Sequence, residues 1–420
     1  MNIPRPIAIS LSPDTESDDV LLALKTLFSP WSWKKGKYEE KVKNWFQVNY
    51  GTKNIFTFTS GRVALYYLLK SYGIGEGDEV IVQSFTCVAV PGPVLWTGAK
   101  AVYGDIDESL NLDPALLEKS ITTKTKAIIV QHTFGIPARI ELIKKITQKH
   151  NILLIEDCAH SLGATVNGQK VGTFGDAAFF SFGRDKVLSS VFGGLFIINN
   201  KSKASKLQSF KEEYQKINYP SYSWIFQQLL HPVVFALILP LYNLILGKVL
   251  LFVLQKLKLL SYPVYPIEKE GGKEERLFRK YPNALAMLAC QQLDKLERYN
   301  KRRRQISGIY YSSLADIKSI KLPSNTEGGI YLRFNILAEK GKEFIAYSKK
   351  EGVILGNWYR NIIDPEGTNL DKIGFMKKKG LNSSKEALLS VNLPTYPLMK
   401  DNEVDKVIKL VRKYYSELWK

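Results

Sequence analysis

Cysteine is scarce in this chain: Cys87, Cys158 and Cys290 are the only three in 420 residues. Three thiols in apolar or site contexts offer no disulfide framework and point to a reducing compartment. The four histidines stand at no metal-ligand spacing from them, which argues against a metal centre. The P-loop pattern GxxxxGKS/T is missing, and with it the phosphate cradle of that ATPase class. The opening MNIPRPIAISLSPDTESDD has no apolar core of a secretory signal, so a cytoplasmic location is expected. No internal repeat is evident. Acidic residues are outnumbered, 40 against 59 basic, leaving a net charge of +19. Such a charge raises nucleic acid as a partner. Yet no helix-turn-helix, zinc or RNA-binding signature accompanies it, and the basic residues are scattered rather than striped, which argues against nucleic acid.

What is present begins with size: 420 residues, 45% of them hydrophobic, suffice for a large core and two domains. Up to about Asn200, strand-like runs (79–82, 101–104, 127–130, 152–155) alternate with helical stretches, predicting an α/β fold with a mostly parallel sheet wrapped by helices. The most informative segment is 152–194. The apolar run Ile152-Leu153-Leu154-Ile155 ends in Glu156-Asp157, and a second run, 177–182, ends in Gly183-Arg184-Asp185-Lys186. An acid beyond one strand and a lysine beyond another is how α/β enzymes present chemistry at the carboxyl edge of the sheet. The pair has a specific use: pyridoxal 5'-phosphate (PLP) needs a lysine for covalent attachment and an Asp to keep its pyridine nitrogen protonated. Upstream, Thr59-Ser60-Gly61 joins an extended run, 55–58, to a helix starting near Val63. The unsatisfied N–H groups of that helix start make a ready phosphate site.

These blocks resemble the DegT family of PLP-dependent sugar aminotransferases. Glu156 to Gly163 matches the family's E-D-A/C-A-Q/H-A/S-x-G, and Gly172 to Lys186 matches its G-x-x-G-D-x-x-x-F-S-F-x-x-x-K. Ser60-Gly61-Arg62-Val63-Ala64-Leu65 resembles S-G-T-x-A-L, Gly73 to Thr86 matches G-x-G-x-G-D-E-V-I-V-x-S-F-T, and Leu393-Pro394-Thr395-Tyr396-Pro397 resembles L-P-x-Y-P. The resemblance implies a PLP-dependent fold type I enzyme, with a large-domain sheet sandwiched by helices and a small C-terminal α/β domain, acting as a homodimer. It implies Lys186 and Asp157 as catalytic residues. Gly61, Arg62, Val63, Phe85, Cys87, Asp157, His160, Ser181 and Lys186 are the cofactor-binding set it implies. Within this set Arg62, in place of the family's Thr, is expected to add a charge-assisted bond to the phosphate, and His160 to contact the ring hydroxyl. Two departures stand out. Cys87 occupies the family's aromatic stacking position, so either sulfur and its neighbours cover the cofactor face or Phe85 is recruited. The family's G-Y-N-Y-R block, a phosphate contact from the partner subunit, is replaced by residues around Arg279 and Lys280.

The implied reaction moves an amino group, usually from L-glutamate, to a nucleotide-linked keto-sugar, for surface polysaccharide or glycolipid. The alternatives are a sugar dehydratase of the same fold, in which histidine replaces the lysine, and a non-catalytic PLP-binding regulator or membrane scaffold. Domain organisation is expected as a large PLP-binding domain, 1–200; an apolar helical insertion, 201–275; a linking part of a long helix, 276–297; and a small domain, 298–420. Arg302-Arg303-Arg304 reads as a solvated helix face near a sugar diphosphate. Within the insertion no Asp, Glu, Lys or Arg occurs from Ile217 to Gly247. A run of that length matches a bilayer span, but Pro232 and Pro240 are expected to break it into short helices. Its flanks (Trp224, Tyr242, Lys248, Lys256, Lys258) fit a helical hairpin over 221–260 lying peripherally on the inner face of the cytoplasmic membrane; the alternative is an extra buried helical layer or a dimer contact.

Overall fold

A computed structural model describes residues 6–11, 14–204, 206–242, 245–257, 259–376 and 381–417. After strand β1 (Ile7–Ala8) and helix α1 (Ser17–Leu27), the chain builds its main sheet. The strands are β2 (Ile55–Phe58), β3 (Glu79–Gln83), β4 (Lys100–Gly104), β5 (Thr125–Gln131), β6 (Leu153–Asp157), β7 (Ala177–Ser181) and β8 (Gly194–Ile198). Their order across the sheet is β2-β8-β7-β6-β5-β3-β4. The run from β7 to β4 is parallel throughout, and β8 alone runs antiparallel to both its neighbours.

Both faces of the sheet are covered, which is why its strands read as unbroken apolar runs rather than alternating ones. Val80, Val82, Ile129 and Ile155 enter one core with helix α2 (Gly61–Ser71). Ile81, Ile128, Val130 and Leu154, one residue out of phase, enter another on the opposite face. All strands but β8 therefore point their carboxyl ends at one edge, where Ser60, Gln131, Asp157 and Ser181 stand.

The insertion folds as a hairpin of α3 (Tyr222–Leu241) and α4 (Ile245–Lys256). Here the structure corrects the sequence expectation. Pro232 and Pro240 do not break α3, which runs for 20 residues across both. An interior proline costs about 3 kcal/mol, but Trp224, Ile225, Leu229, Phe235 and Ile238 are all buried, at about 1.5–3 kcal/mol each. Packing wins. Among the described residues α3 is the one helix long and apolar enough to cross a membrane, and half of that window is buried in protein.

The 32-residue helix α5 (Asn283–Leu314) leaves the large core through Leu285 and Leu288 and ends in a second one through Ile306, Tyr310 and Leu314. That second core covers a three-stranded antiparallel sheet, β9 (Ile320–Lys321), β10 (Phe334–Ala338) and β12 (Ser390–Leu393), and the last helix, α6 (Asp401–Glu417). Strand β1 pairs with β11 (Val353–Ile354), and Ile7 lies in this second core. Ile7 and Ala8 thus pack with the C-terminal part of the chain.

Arg303 also departs from expectation. It is fully buried, donating to Asp14 (2.8 Å), Asn300 Oδ1 (2.9 Å) and the Val187 carbonyl (2.9 Å). Consecutive residues on a helix point about 100° apart, so three adjacent arginines cannot share one face. Arg302 bonds Met399 O and Asp401, and Arg304 bonds Glu297 outside.

Candidate active site

The carboxyl edge of the sheet forms the floor of a cleft whose walls come from the insertion and from residues near 358. Asp157 ends β6, in register between Gln131 of β5 and Phe179 of β7. It is buried, and Oδ1 accepts the Ala159 N–H at 3.0 Å. Burial pushes its carboxyl up to about 6, against the pull of that N–H, Lys186 and His132. Its neighbour Glu156 faces away and is spent on structure: it accepts from the N–H groups of Gly172, Phe174 and Gly175 and meets His132 Nε2 at 3.1 Å.

Lys186 Nζ lies 2.9 Å from His160 Nε2 and 4.9 Å from the centre of the Trp358 ring. Burial lowers the lysine's pKa, with Cys87 and Asp157 opposing. Burial likewise holds His160 well below its ordinary value, with Lys186 and Arg333 adding to the effect. His160 is therefore neutral. Its Nδ1 accepts the Phe134 N–H at 3.4 Å, and Nε2 faces the lysine Nζ. The imidazole stacks on Trp358 (5.4 Å, 13°) and on Phe134 (6.0 Å, 5°).

At the next strand end Ser60 caps α2, its Oγ accepting from Val63 N. Gly61 and Ser181 meet there so closely that a Cβ on Gly61 would lie 2.9 Å from Ser181 Cβ. The helix N–H groups and a hydroxyl thus converge, the donor set an anion needs. Val63 faces the core and lends no side chain to the cleft.

Arg62 lines the cleft, but its guanidinium is committed elsewhere. Nη1 donates to both oxygens of Glu268, at 2.6 and 2.5 Å, and Nη2 to the Pro263 carbonyl. Glu268 is itself buried, and two desolvated charges hold each other. The expected bond from Arg62 to a phosphate is replaced by this pair. Phe85 is also relocated: fully buried, it packs edge-on to Tyr359 at 5.4 Å, behind the cleft wall. Of the two stacking options read from the sequence, Cys87 reaches the cleft and Phe85 does not. Arg279 and Lys280 turn to the carbonyls of Phe278 and Gln215 and do not line it.

Sequence reasoning missed Gln131, Trp358 and Tyr359, which line the same cleft. Gln131 accepts from Thr86 Oγ1 at 2.6 Å. Tyr359 Oη lies 3.3 Å from His160 Nε2. The one signal for the aromatic pair was its place in Gly356-Asn357-Trp358-Tyr359, two large rings in a short connection.

A lysine amine beyond one strand, a buried carboxylate at the end of the adjacent strand and an anion cradle fit PLP in the chemistry of their donors. The comparisons agree with the fold and the family. The E. coli O157:H7 GDP-perosamine synthase is 26% identical over 395 residues, 93% of this chain and 94% of that protein. The UDP-N-acetyl-3-dehydro-alpha-D-glucosamine 3-aminotransferase of Acidithiobacillus ferrooxidans is 42% identical over 154 residues, 36% of this chain and 42% of that one. A Streptococcus pneumoniae chain solved in a PLP form superposes with a TM-score of 0.75 at 21% identity, over 99% of both chains. The profile of one family matches residues 13–219 and 279–412 and skips the hairpin between them. The fold type I architecture and the transaminase class expected from the sequence are borne out, and the chain belongs to the DegT/DnrJ/EryC1/StrS aminotransferase family.

Proposed function

We propose that this protein is a PLP-dependent transaminase that moves an amino group from L-glutamate to a nucleotide-linked keto-sugar, in surface polysaccharide or glycolipid synthesis. The observation that carries this reading is Lys186 Nζ in a buried cleft with Asp157, beside a neutral His160. Lys186, Asp157, His160, Ser181 and the N–H groups after Ser60 would hold the cofactor. When bound, PLP supplies an electron sink for the bond broken at the amino carbon. Asp157 keeps a proton on the ring nitrogen, and its burial strengthens that charge-assisted bond. With the cofactor bound, Lys186 Nζ would serve as a free amine during turnover. Its lowered pKa suits it to take a proton from one carbon and return it to another. Trp358 and Tyr359 exclude water from the amine. The presence of lysine at position 186 speaks against the dehydratase alternative.

Two partners complete the reading: a second copy of the chain, and the inner face of the cytoplasmic membrane. Support for the membrane is the outer face of the hairpin. Leu237, Leu246, Val249, Phe252 and Leu257 are exposed, Leu237 and Phe252 by 63% and 64%. Lys256 flanks them; Lys258 and the side chain of Lys248 lie outside the described residues. The net charge of +19 favours anionic lipid. Borohydride reduction followed by peptide mapping tests the cofactor, with the pyridoxyl mass expected on Lys186; the mass on Lys170 or Lys124 would refute it. Mass spectrometry of products from a panel of keto-sugar nucleotides with glutamate identifies the acceptor.

A further inference from the structure

The chain leaves the hairpin through residues 259–267, and that stretch has two sides. Pro263 and Val264 line the catalytic cleft. Ser261, Tyr262 and Tyr265 line a second cavity of about 400 Å³, together with Lys256 at the end of α4, Glu274 and Arg276. No lining residue is shared between the two. From the cleft side the stretch is held by two arginines. Arg184 donates to the Ser261 carbonyl and hydroxyl, and Arg62 to the Pro263 carbonyl and to Glu268. The Tyr265 N–H donates to the same Glu268, at 2.7 Å. One fixed run of backbone therefore separates the cleft from the second cavity.

The second cavity carries cations that the protein leaves unspent. Arg276 is oriented by Glu274, which accepts from Nε at 2.7 Å and from Nη2 at 3.0 Å, and by the Tyr265 ring, whose centre lies 5.2 Å from Cζ. Its Nη1 has no hydrogen-bond partner among the described residues. Lys256 likewise forms no ion pair among the described residues. Since Arg276 answers Glu274, Lys256 leaves the cavity with an excess positive charge. An apolar strip runs up to these cations. Phe252 and Val253 precede Lys256 by one turn and share its side of α4. Both are exposed, as are Leu257 and the cavity residues Tyr262 and Ile267. A positive pocket at the end of an apolar strip is the complement of a molecule with an anionic head and a hydrocarbon tail. A nucleotide would need an open ring to stack upon, and the Arg276 guanidinium already covers Tyr265. Free phosphate makes no use of the strip.

We propose that this cavity binds the phosphate headgroup of an anionic membrane phospholipid, with the acyl chains lying along Phe252, Val253 and Leu257. The assignment rests on the membrane reading above and gives it a defined headgroup site. Because one stretch of chain walls both cavities, a lipid bound here sets the catalytic cleft next to the bilayer surface.

The test uses the purified full-length holoenzyme, sedimented with vesicles of phosphatidylcholine alone or mixed with phosphatidylglycerol. Wild type is expected to prefer the mixed vesicles. Lys256→Gln combined with Arg276→Gln should lower that partitioning about 30-fold, from two basic contacts at about 1 kcal/mol each. Removing the exposed Lys342 and Lys409, in the C-terminal part of the chain, should change it by less than about twofold, because charges beyond a Debye length of the surface are screened. The charge-keeping pair Lys256→Arg and Arg276→Lys should restore binding. A photoactivatable phosphatidylglycerol labelled in its headgroup should mark peptides containing Tyr262 or Arg276. Equal losses in the two charge-removing variants would reduce the effect to overall charge and overturn the site. So would release from the vesicles by inorganic phosphate, which would make the cavity a free-phosphate site, or loss of self-association in place of vesicle binding, which would give the face to a second copy. Vesicle binding that the Lys256 and Arg276 substitutions leave untouched, or that ignores phosphatidylglycerol, would refute the headgroup site alone. A wild type that binds neither vesicle would refute the membrane reading and the site with it.

Discussion

The sheet and the hairpin are built from the same kind of residue and treat it in opposite ways. In β3, β5 and β6 every Val, Ile and Leu is buried, each face of the sheet under its own core. In the hairpin the inner residues Trp224, Ile225 and Leu229 join the large core, while Phe252 and Leu257 remain more than half exposed. The family profile covers the first region and skips the second. An apolar run in the shared body is thus explained by the fold itself, whereas the outer face of the hairpin stays exposed.

The comparison can be broken most forcefully from the buried side. Arg303→Met leaves Asp14 buried without its cation, and is expected to cost about 3–5 kcal/mol in urea unfolding. An unfolding midpoint equal to wild type would show that the arginine is solvated after all. Next in size is the hairpin. Replacing Val249, Phe252, Val253 and Leu257 with serine should lower partitioning to anionic vesicles about 100-fold or more, with the melting temperature unchanged. Lost stability with unchanged partitioning would make the outer face a protein contact. At the sheet edge, Asp157→Asn should retain the cofactor and lose about 100-fold in turnover. Near-normal turnover would remove Asp157 from the ring nitrogen.

The smallest effect is on pH. Capture of PLP by the cofactor-free protein requires a neutral Lys186, and burial lowers that lysine's pKa. The capture rate should therefore rise with pH and level off at a midpoint below the ordinary lysine value of about 10.4. Asp157 acts against the lowering, so Asp157→Asn should move the midpoint to still lower pH. A midpoint that rises in this variant would contradict the geometry.

The legibility of the molecule follows from distance along the chain. Asp157, His160 and Lys186 fall within thirty residues on adjacent strands, so local blocks carry both their identity and their place. Trp358 and Tyr359 enter the site from the far end of the sequence, and no local period marks them. Arg62 was placed at the cleft, but its partner Glu268 is 206 residues away, beyond what a capping motif can disclose. The run at 302–304 misled because composition has no direction, while a helix turns each residue to its own neighbour. Pro232 misled in the opposite sense: a local rule, correct in size, was outweighed by a buried face.

The bonds from Arg184 to Ser261 and from Arg62 to Glu268 join the foot of the hairpin to the chain two residues before Lys186 and to the first turn of α2. The added segment is therefore not a detachable appendage. Transplanting it onto a shorter relative would carry half of two buried pairs into a protein lacking the other half, and excising it here would strip one wall from the cleft. Lineages bearing such a hairpin must alter Arg62, Arg184 and the hairpin foot together, so these positions should vary in concert across homologues even though they are distant in sequence.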